Sequence, residues 1–350
     1  MRAYAAVTAA YWAFMLSDGA LRMLVLLHFN GLGFSALQLA WLFLLYEVAG
    51  IVTNLAAGWI AARFGLASTL YAGLILQIAA LSALALLDPG WSVAASVGFV
   101  MAVQGVSGIA KDLAKMSSKS AVKLLAPAGD GLFRWVAALT GSKNAVKGAG
   151  FFIGAALLAT AGFQAAIWAM AAVLALILAA VVLFLPKGLP AGNKAVKLTS
   201  VWSRNDKINR LSLARLFLFG ARDVWFVVGI PIYFQAVLFD GSPDSRRAAF
   251  FLIGGFMAAW IIAYGAVQAA APRLLAAKSL SESQIIAKAQ RLAGWLVPIP
   301  LVLAALSAFS PTPAMWLTLS LVLGLLLFGY VFALNSSLHS YLILAFSSAE

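Results

Sequence analysis

Residues 11–29 read YWAFMLSDGALRMLVLLHF. A helix needs about 20 largely apolar residues to cross a bilayer, and this run with its flanks reaches that length. Yet it holds Asp18 and Arg22 near its middle. An ionisable side chain at mid-bilayer costs at least about 2.5–3.5 kcal/mol, so it survives where it faces a partner or a wet cavity. A cleavable export signal would lack such interior charges and would end at a small-residue cleavage site, which is missing here. The segment therefore reads as a retained first helix of a bundle with a polar interior.

Working outward, apolar runs of similar length recur at about 5–28, 36–61, 68–87, 91–111, 138–161, 164–185, 211–235, 248–271, 292–309 and 314–334. Hydrophobic residues make up 64% of the 350, charged residues 10%, and the mean hydropathy is +0.99. A soluble domain carries nearer a quarter charged residues, so lipid must cover much of this surface. A membrane barrel would show short alternating segments instead. The fold class is all-α, a polytopic membrane protein of about ten transmembrane helices.

The net charge of +13 does not point to nucleic acid, because the basic residues sit mainly in connectors between apolar runs. With the N-terminus in the cytoplasm, only Arg246 and Arg247 of the 24 Lys/Arg fall outside, and Arg22, Lys143, Lys147, Arg215 and Arg222 lie within spans. The rest are cytoplasmic, as the positive-inside rule requires. The longest polar interruption, PKGLPAGNKAVKLTSVWSRNDKINR at 186–210, reads as a cytoplasmic linker. It divides a six-helix bundle at 1–185 from a four-helix bundle at 211–350. Transporters built from two related six-helix halves would then lack their last two helices here; the chain is expected to be truncated, with a genuine ten-helix protein as the alternative. The halves echo each other: FMLSDGALRMLVLLHF at 14–29 and FLFGARDVWFVVGIPIYF at 217–234 place Asp18 opposite Asp223.

Several intramembrane residues become site candidates. Asp18 and Arg22 are four apart and can pair on one helix face, with Tyr11 continuing the stripe. Glu47, Gly50, Asn54 and Gly58 share a spacing on the second helix. Arg215 and Arg222 are seven apart on the seventh, with Asp223 beside the latter, and Lys147 lies in the fifth. Asp18, Glu47 and Asp223 can each neutralise a basic neighbour or exchange a proton. The basic set exceeds them, and an uncompensated buried cation is costly, which favours an anionic ligand. Arginine suits phosphate and carboxylate because its planar fork binds two oxygens at once. Lys111, Lys115, Lys119 and Lys123 recur every fourth residue, either as a solvated or headgroup-facing stripe or as a funnel for anions. Tyr264 with Gln268, and Asn335 with His339, form shorter polar stripes.

The chain has no cysteine, which excludes disulfides, thiolate metal sites and thiol nucleophiles. It has no phosphate-loop motif, no paired zinc histidines and no nucleophile elbow. No metal, no cofactor and no enzymatic activity are expected.

Residues 58–69, GWIAARFGLAST, resemble the loop between helices two and three of the major facilitator superfamily. Gly58, Arg63 and Gly65 match; Ala62 replaces the usual aspartate and Leu66-Ala67 the usual basic pair. Longer strings resemble the organoarsenical efflux permeases of ArsJ type within that superfamily: YWAFMLSDGALRMLVLLHF, LYEVAGIVTNLAAGW, GIAKDLAKMSSKSAVKLL, TGSKNAVKGAGFFIGAALL and ARLFLFGARDVWFVVGIPIY. The likeness covers both halves.

This resemblance implies a two-bundle transporter in the inner membrane that exports 1-arseno-3-phosphoglycerate. A glyceraldehyde-3-phosphate dehydrogenase makes that ester from arsenate, so the dehydrogenase is a functional partner and export confers arsenate resistance. The lack of cysteine is no obstacle to pentavalent arsenic bound through oxygen. A further likeness, to the glycerol-phosphate antiporters of the superfamily, implies that Arg22 and Arg222 hold the oxyanion groups with Lys147 in support. Two other functions fit the residues: export or exchange of ordinary phosphorylated metabolites, and a membrane scaffold whose charges are only structural.

Overall fold

The computed structural model describes residues 2–125, 130–185, 192–193, 195, 205–275, 281–309 and 315–347. The chain is all-α, and ten helical stretches among the described residues are long and apolar enough to cross a membrane. The first six are α1 (Arg2–Gly31), α2 (Ala36–Phe64), α3 (Leu66–Ala85), α4 (Val93–Leu125), α5 (Asp130–Ala161) and α6 (Phe163–Phe184). Their ends are set locally. Ser35 caps α2 in a reciprocal box with Gln38, satisfying two backbone donors left over at the helix start. Gly65, at φ 89°, turns the chain from α2 into α3, a conformation that side chains with a Cβ resist.

The seventh span is assembled from three pieces: α7 (Asp206–Asp223), a π-helical turn (Val224–Gly229) and α8 (Ile230–Leu238). The eighth is α9 (Pro243–Leu274) and the tenth α12 (Met315–Ser347). The ninth, expected as one run at 292–309, begins earlier and is broken. It consists of α10 (Glu282–Trp295) and α11 (Pro298–Phe309), and Pro298, which has no N–H to donate, restarts the helix after the break. Most of the expected linker at 186–210 lies outside the described residues. Within it, Asn193 N–H donates to the Ala62 carbonyl at 2.8 Å.

Two compact units emerge. Unit 1 comprises Met1–Trp202 and Val224–Ala258; unit 2 comprises Ser203–Asp223 and Ala259–Glu350. In unit 1, α1 is the buried axis, packed on α4, α5 and α6, while α2 and α3 pack on α4. Phe14, Leu21 and Leu24 to Leu27 of α1 are closed off. By contrast Leu176 and Leu183 of α6 are 71% and 76% exposed, as lipid-facing residues should be.

Small residues let the unit 1 backbones approach closely. A Cβ on Gly150 or Gly154 of α5 would run into the α1 backbone at Leu16 and Ala20, and one on Gly19 would strike the Lys147 carbonyl. Likewise Gly108 of α4 lies against the backbone of Tyr46 on α2. These contacts fix which face of α4 and α5 meets the charges of α1 and α2.

In unit 2, α12 packs on α7, α10 and α11. Ile285 and Ala289 of α10 form a small core with Leu338, Leu342 and Phe346 of α12. The second half of α9 is tied to α12 where Trp260 Nε1 donates to the Leu325 carbonyl at 3.1 Å.

Candidate functional site

The α1–α5 and α2–α4 seams of unit 1 bring seven ionisable groups around one tyrosine. Tyr46, fully buried, donates its hydroxyl to Asp18 Oδ1. The Lys147 ammonium, carried across the glycine seam on α5, stands 3.7 Å from Asp18 Oδ2. Arg22 donates to Glu47 at 2.5 Å. Its guanidinium lies 4.2 Å from the centre of the Tyr46 ring, and Lys111 Nζ lies 4.1 Å from it. Lys115 binds Asp112 at 2.8 Å and Asn54 at 3.3 Å, with Lys111 3.9 Å from Asp112.

Burial gives this network its weight. Asp18 is 2% exposed, Arg22 4% and Asp112 2%. Removing the cation beside Asp18 or Asp112, or the carboxylate beside Arg22, leaves a buried charge uncompensated, which is costly. The carboxylates Asp18, Glu47 and Asp112 are outnumbered by Arg22, Lys111, Lys115 and Lys147. Among the described residues the network therefore holds one more cation than carboxylate. Glu47, with a side chain 40% exposed, is the most accessible of the network's paired carboxylates.

Unit 2 holds a second cationic site. Arg222 forks onto Asp223 Oδ1 through Nε at 2.8 Å and Nη2 at 2.6 Å. Its guanidinium faces three rings, Phe219 at 4.9 Å, Phe332 at 5.3 Å and Tyr264 at 5.8 Å. Such an aromatic cage favours a cation. The Tyr264 hydroxyl meets Ser336 Oγ at 3.0 Å, and Gln268 Nε2 donates to the same oxygen at 2.7 Å. One turn further along α12, Ser340 accepts from Arg215 at 3.2 Å. Here too, among the described residues, the cations Arg215 and Arg222 outnumber the carboxylate Asp223.

The expected site residues fall into place unevenly. Asp18, Arg22, Glu47 and Lys147 share one network, and Arg215, Arg222 and Asp223 lie together in unit 2. The Asp18–Arg22 pairing expected from their i,i+4 spacing is replaced by the cross-helix pairs Lys147–Asp18 and Arg22–Glu47. The second-helix stripe also needs correction. Gly50 is buried with Tyr46, Thr53 and Ala57, whereas Asn54 and Gly58 are exposed, so Asn54 joins only through Lys115. Tyr11 is fully buried in α1, and its hydroxyl has no hydrogen-bond partner among the described residues.

Of the lysine stripe, Lys111 and Lys115 turn inward to Tyr46 and Asp112; the side chains of Lys119 and Lys123 lie outside the described residues. Sequence reading assigned no role to Tyr46 or Asp112. The available signal was that each adjoins a charge inside an apolar run. Among the described residues no group of three or more His, Asp or Glu is placed to hold a metal.

A cavity of about 720 Å³ lies elsewhere in unit 1, lined by His28, Phe34, Trp91, Phe163 and Gln164 among others. His28 stacks on Phe163 with ring centres 3.9 Å apart. Its lining is largely apolar and contains none of the charged network.

No curated protein matches the chain by sequence. Solved structures do match in fold. The nucleoside transporter NupG aligns with a TM-score of 0.69 at 14% identity, over 98% of this chain and 82% of that one. The xylose transporter XylE from E. coli gives 0.59 at 14% identity, over 99% and 88%. A POT family transporter in complex with a thioalcohol-conjugated peptide gives 0.58 at 14% identity, over 99% and 90%. At these identities the likeness concerns the fold, and the substrates named are those of the other proteins. The sequence model of the Major Facilitator Superfamily matches residues 7–347, nearly the whole length, and the chain belongs to that superfamily of membrane transporters.

Proposed function

We propose that this transporter exports a small, multiply charged organic anion by alternating access, and that the anion is 1-arseno-3-phosphoglycerate. The observation that carries this reading is the excess of cations over carboxylates in the two networks of described residues: buried Arg22 with the partly exposed Lys111, Lys115 and Lys147 in one, and the partly exposed Arg215 and Arg222 in the other. A cationic surplus held inside a helical bundle is stabilised by an anionic ligand, and arginine forks favour oxyanions. The arsenical identity rests on the resemblance to ArsJ-type permeases, with a glyceraldehyde-3-phosphate dehydrogenase supplying the ester. In this reading Arg22 and Arg222 bind the oxyanion groups and Lys147 supports them. The protein sits in the inner membrane with its N-terminus in the cytoplasm, a placement supported by the lysine and arginine asymmetry.

The test is arsenate resistance in cells that co-express the dehydrogenase, with membrane protein levels measured in parallel. Arg22→Lys and Arg222→Lys keep the charge but lose the fork. Both variants are expected to insert normally and to lose most resistance. Full resistance in the double variant at normal expression refutes the role given to the arginines. The charge excess fits other phosphorylated metabolites as well. Vesicle uptake in which 3-phosphoglycerate competes as strongly as the arseno ester would favour that broader exporter. Loss of assembly rather than of flux would favour a scaffold.

A further inference from the structure

The tenth span carries polar groups that the anion-binding reading leaves without a role. Asn335 on α12 is fully buried, and neither its Nδ2 nor its Oδ1 has a hydrogen-bond partner among the described residues. One turn on, His339 is 7% exposed and its Nδ1 also lacks one. Native proteins pair nearly all such groups, so two on consecutive turns of one helix call for an explanation.

Their neighbours are satisfied. On the same arc of α12, Ser336 is bonded by Tyr264 and Gln268 from α9, and Ser340 by Arg215 from α7. Phe332, one turn before Asn335, lies beneath the Arg222 guanidinium. Asn335 and His339 thus lie on a helix face shared with residues that two arginines contact, all within unit 2, and the Asn335 carboxamide and His339 Nδ1 have no hydrogen-bond partner among the described residues.

We propose that Asn335 and His339 form a hydroxyl-reading subsite that recognises an alcohol carried beside an anionic group. A carboxamide offers a donor and an acceptor side by side, and a hydroxyl is the small group that both accepts and donates. The imidazole nitrogen of His339 supplies either function according to its tautomer. The flanking Arg215 and Arg222 take the acid. The ligand class is a hydroxylated phosphate or carboxylate ester, in preference to inorganic phosphate or a deoxy acid. The subsite deepens the proposed function and rests on its reading of an organic-anion transporter. Sites built to hydrogen-bond a hydroxyl discriminate strongly against analogues that lack it, because the polar groups are then left unpaired.

The test uses the purified full chain in lipid nanodiscs and two ligands differing by a single hydroxyl, 3-phosphoglycerate and 3-(phosphonooxy)propanoate, with inorganic phosphate as a third probe. The wild type is expected to bind the hydroxylated ester at least about tenfold more tightly than the deoxy compound. Asn335→Leu is expected to bring that ratio to about one while leaving deoxy-ester affinity unchanged. Equal binding of the two esters by the wild type overturns the subsite and leaves the anion reading standing, and this arm needs no variant to fold. Failure of the wild type to bind either ester overturns both. A Leu variant that keeps the wild-type ratio, even with a raised melting temperature, shows that Asn335 was only a structural irregularity.

Discussion

Tyr46→Phe replaces one hydroxyl by hydrogen at the centre of the unit 1 network and changes little else. The hydroxyl of Tyr46 donates to Asp18, and its ring carries the guanidinium of Arg22 at 4.2 Å and the ammonium of Lys111 at 4.1 Å. Phenylalanine keeps the ring, hence both cation contacts, and deletes only the charge-assisted bond. Such a bond contributes about 1.5–3 kcal/mol net. Asp18, 2% exposed, has no other hydrogen bond of comparable quality: its Oδ2 lacks one, and Lys147 stands 3.7 Å away. If the bond exists in only one of the alternating states, its loss shifts their ratio by roughly 10- to 150-fold.

The assay is a double-mutant cycle on melting temperature and on flux, using Tyr46→Phe, Asp18→Asn and the pair. The expected coupling is about 1.5 kcal/mol or more. Tyr46→Leu, which also removes the ring, is expected to cost a further ~0.5–2 kcal/mol for each cation it strands. A phenylalanine variant with wild-type melting and flux, or a cycle with no coupling, refutes the claim that Tyr46 organises this network.

Other consequences follow from separate parts of the chain. Gly154→Leu pushes a side chain into the α1 backbone at Ala20, so little folded protein is expected in the membrane. Gly58→Ala, with nothing within 4 Å of its new methyl, is expected to express normally, and equal expression of the two would refute the seam. Asp240, in the turn before α9, is held at about 2 by Ser245 and Ser242, below its ordinary 3.8. A depressed carboxyl stabilises fully above the ordinary value and loses that contribution as pH falls toward 2. Asp240→Asn is therefore expected to reduce the drop in melting temperature between pH 5 and pH 2, and an unchanged drop counts against the turn's role. The proposed orientation expects a cysteine at Ser242 to react with an impermeant thiol reagent in intact cells and one at Ser200 not to. Labelling at 200 reverses the topology.

The spans were legible because the solvent for their outer faces is lipid, and a lipid-facing helix announces itself by length and hydropathy alone. The depth of Asp18, Arg22, Glu47, Arg215 and Arg222 followed for the same reason. Their partners did not. Spacing on one helix says which residues share a face, so Asp18 and Arg22 looked like a pair, but it cannot say what the facing helix brings. Here Lys147 and Glu47 come from α5 and α2, and the approach of α5 to α1 is fixed by backbone contacts at Gly19, Gly150 and Gly154, where no side chain signals the geometry. The lysine stripe was ambiguous for a related reason. A headgroup-facing helix and a cavity-facing one have the same four-residue period, and the contact of Gly108 with Tyr46 decides for the inner face at Lys111. The break before Pro298 could be read from proline's missing donor, whereas the π-helical turn at 224–229 carries no such mark.

The unread remainder is therefore concentrated where helices touch. That is also where a transporter's specificity must reside, because lipid-facing positions tolerate any apolar residue. Positions at the seams place each charge against a particular partner, and a change of one methyl group there can move a cation off its carboxylate.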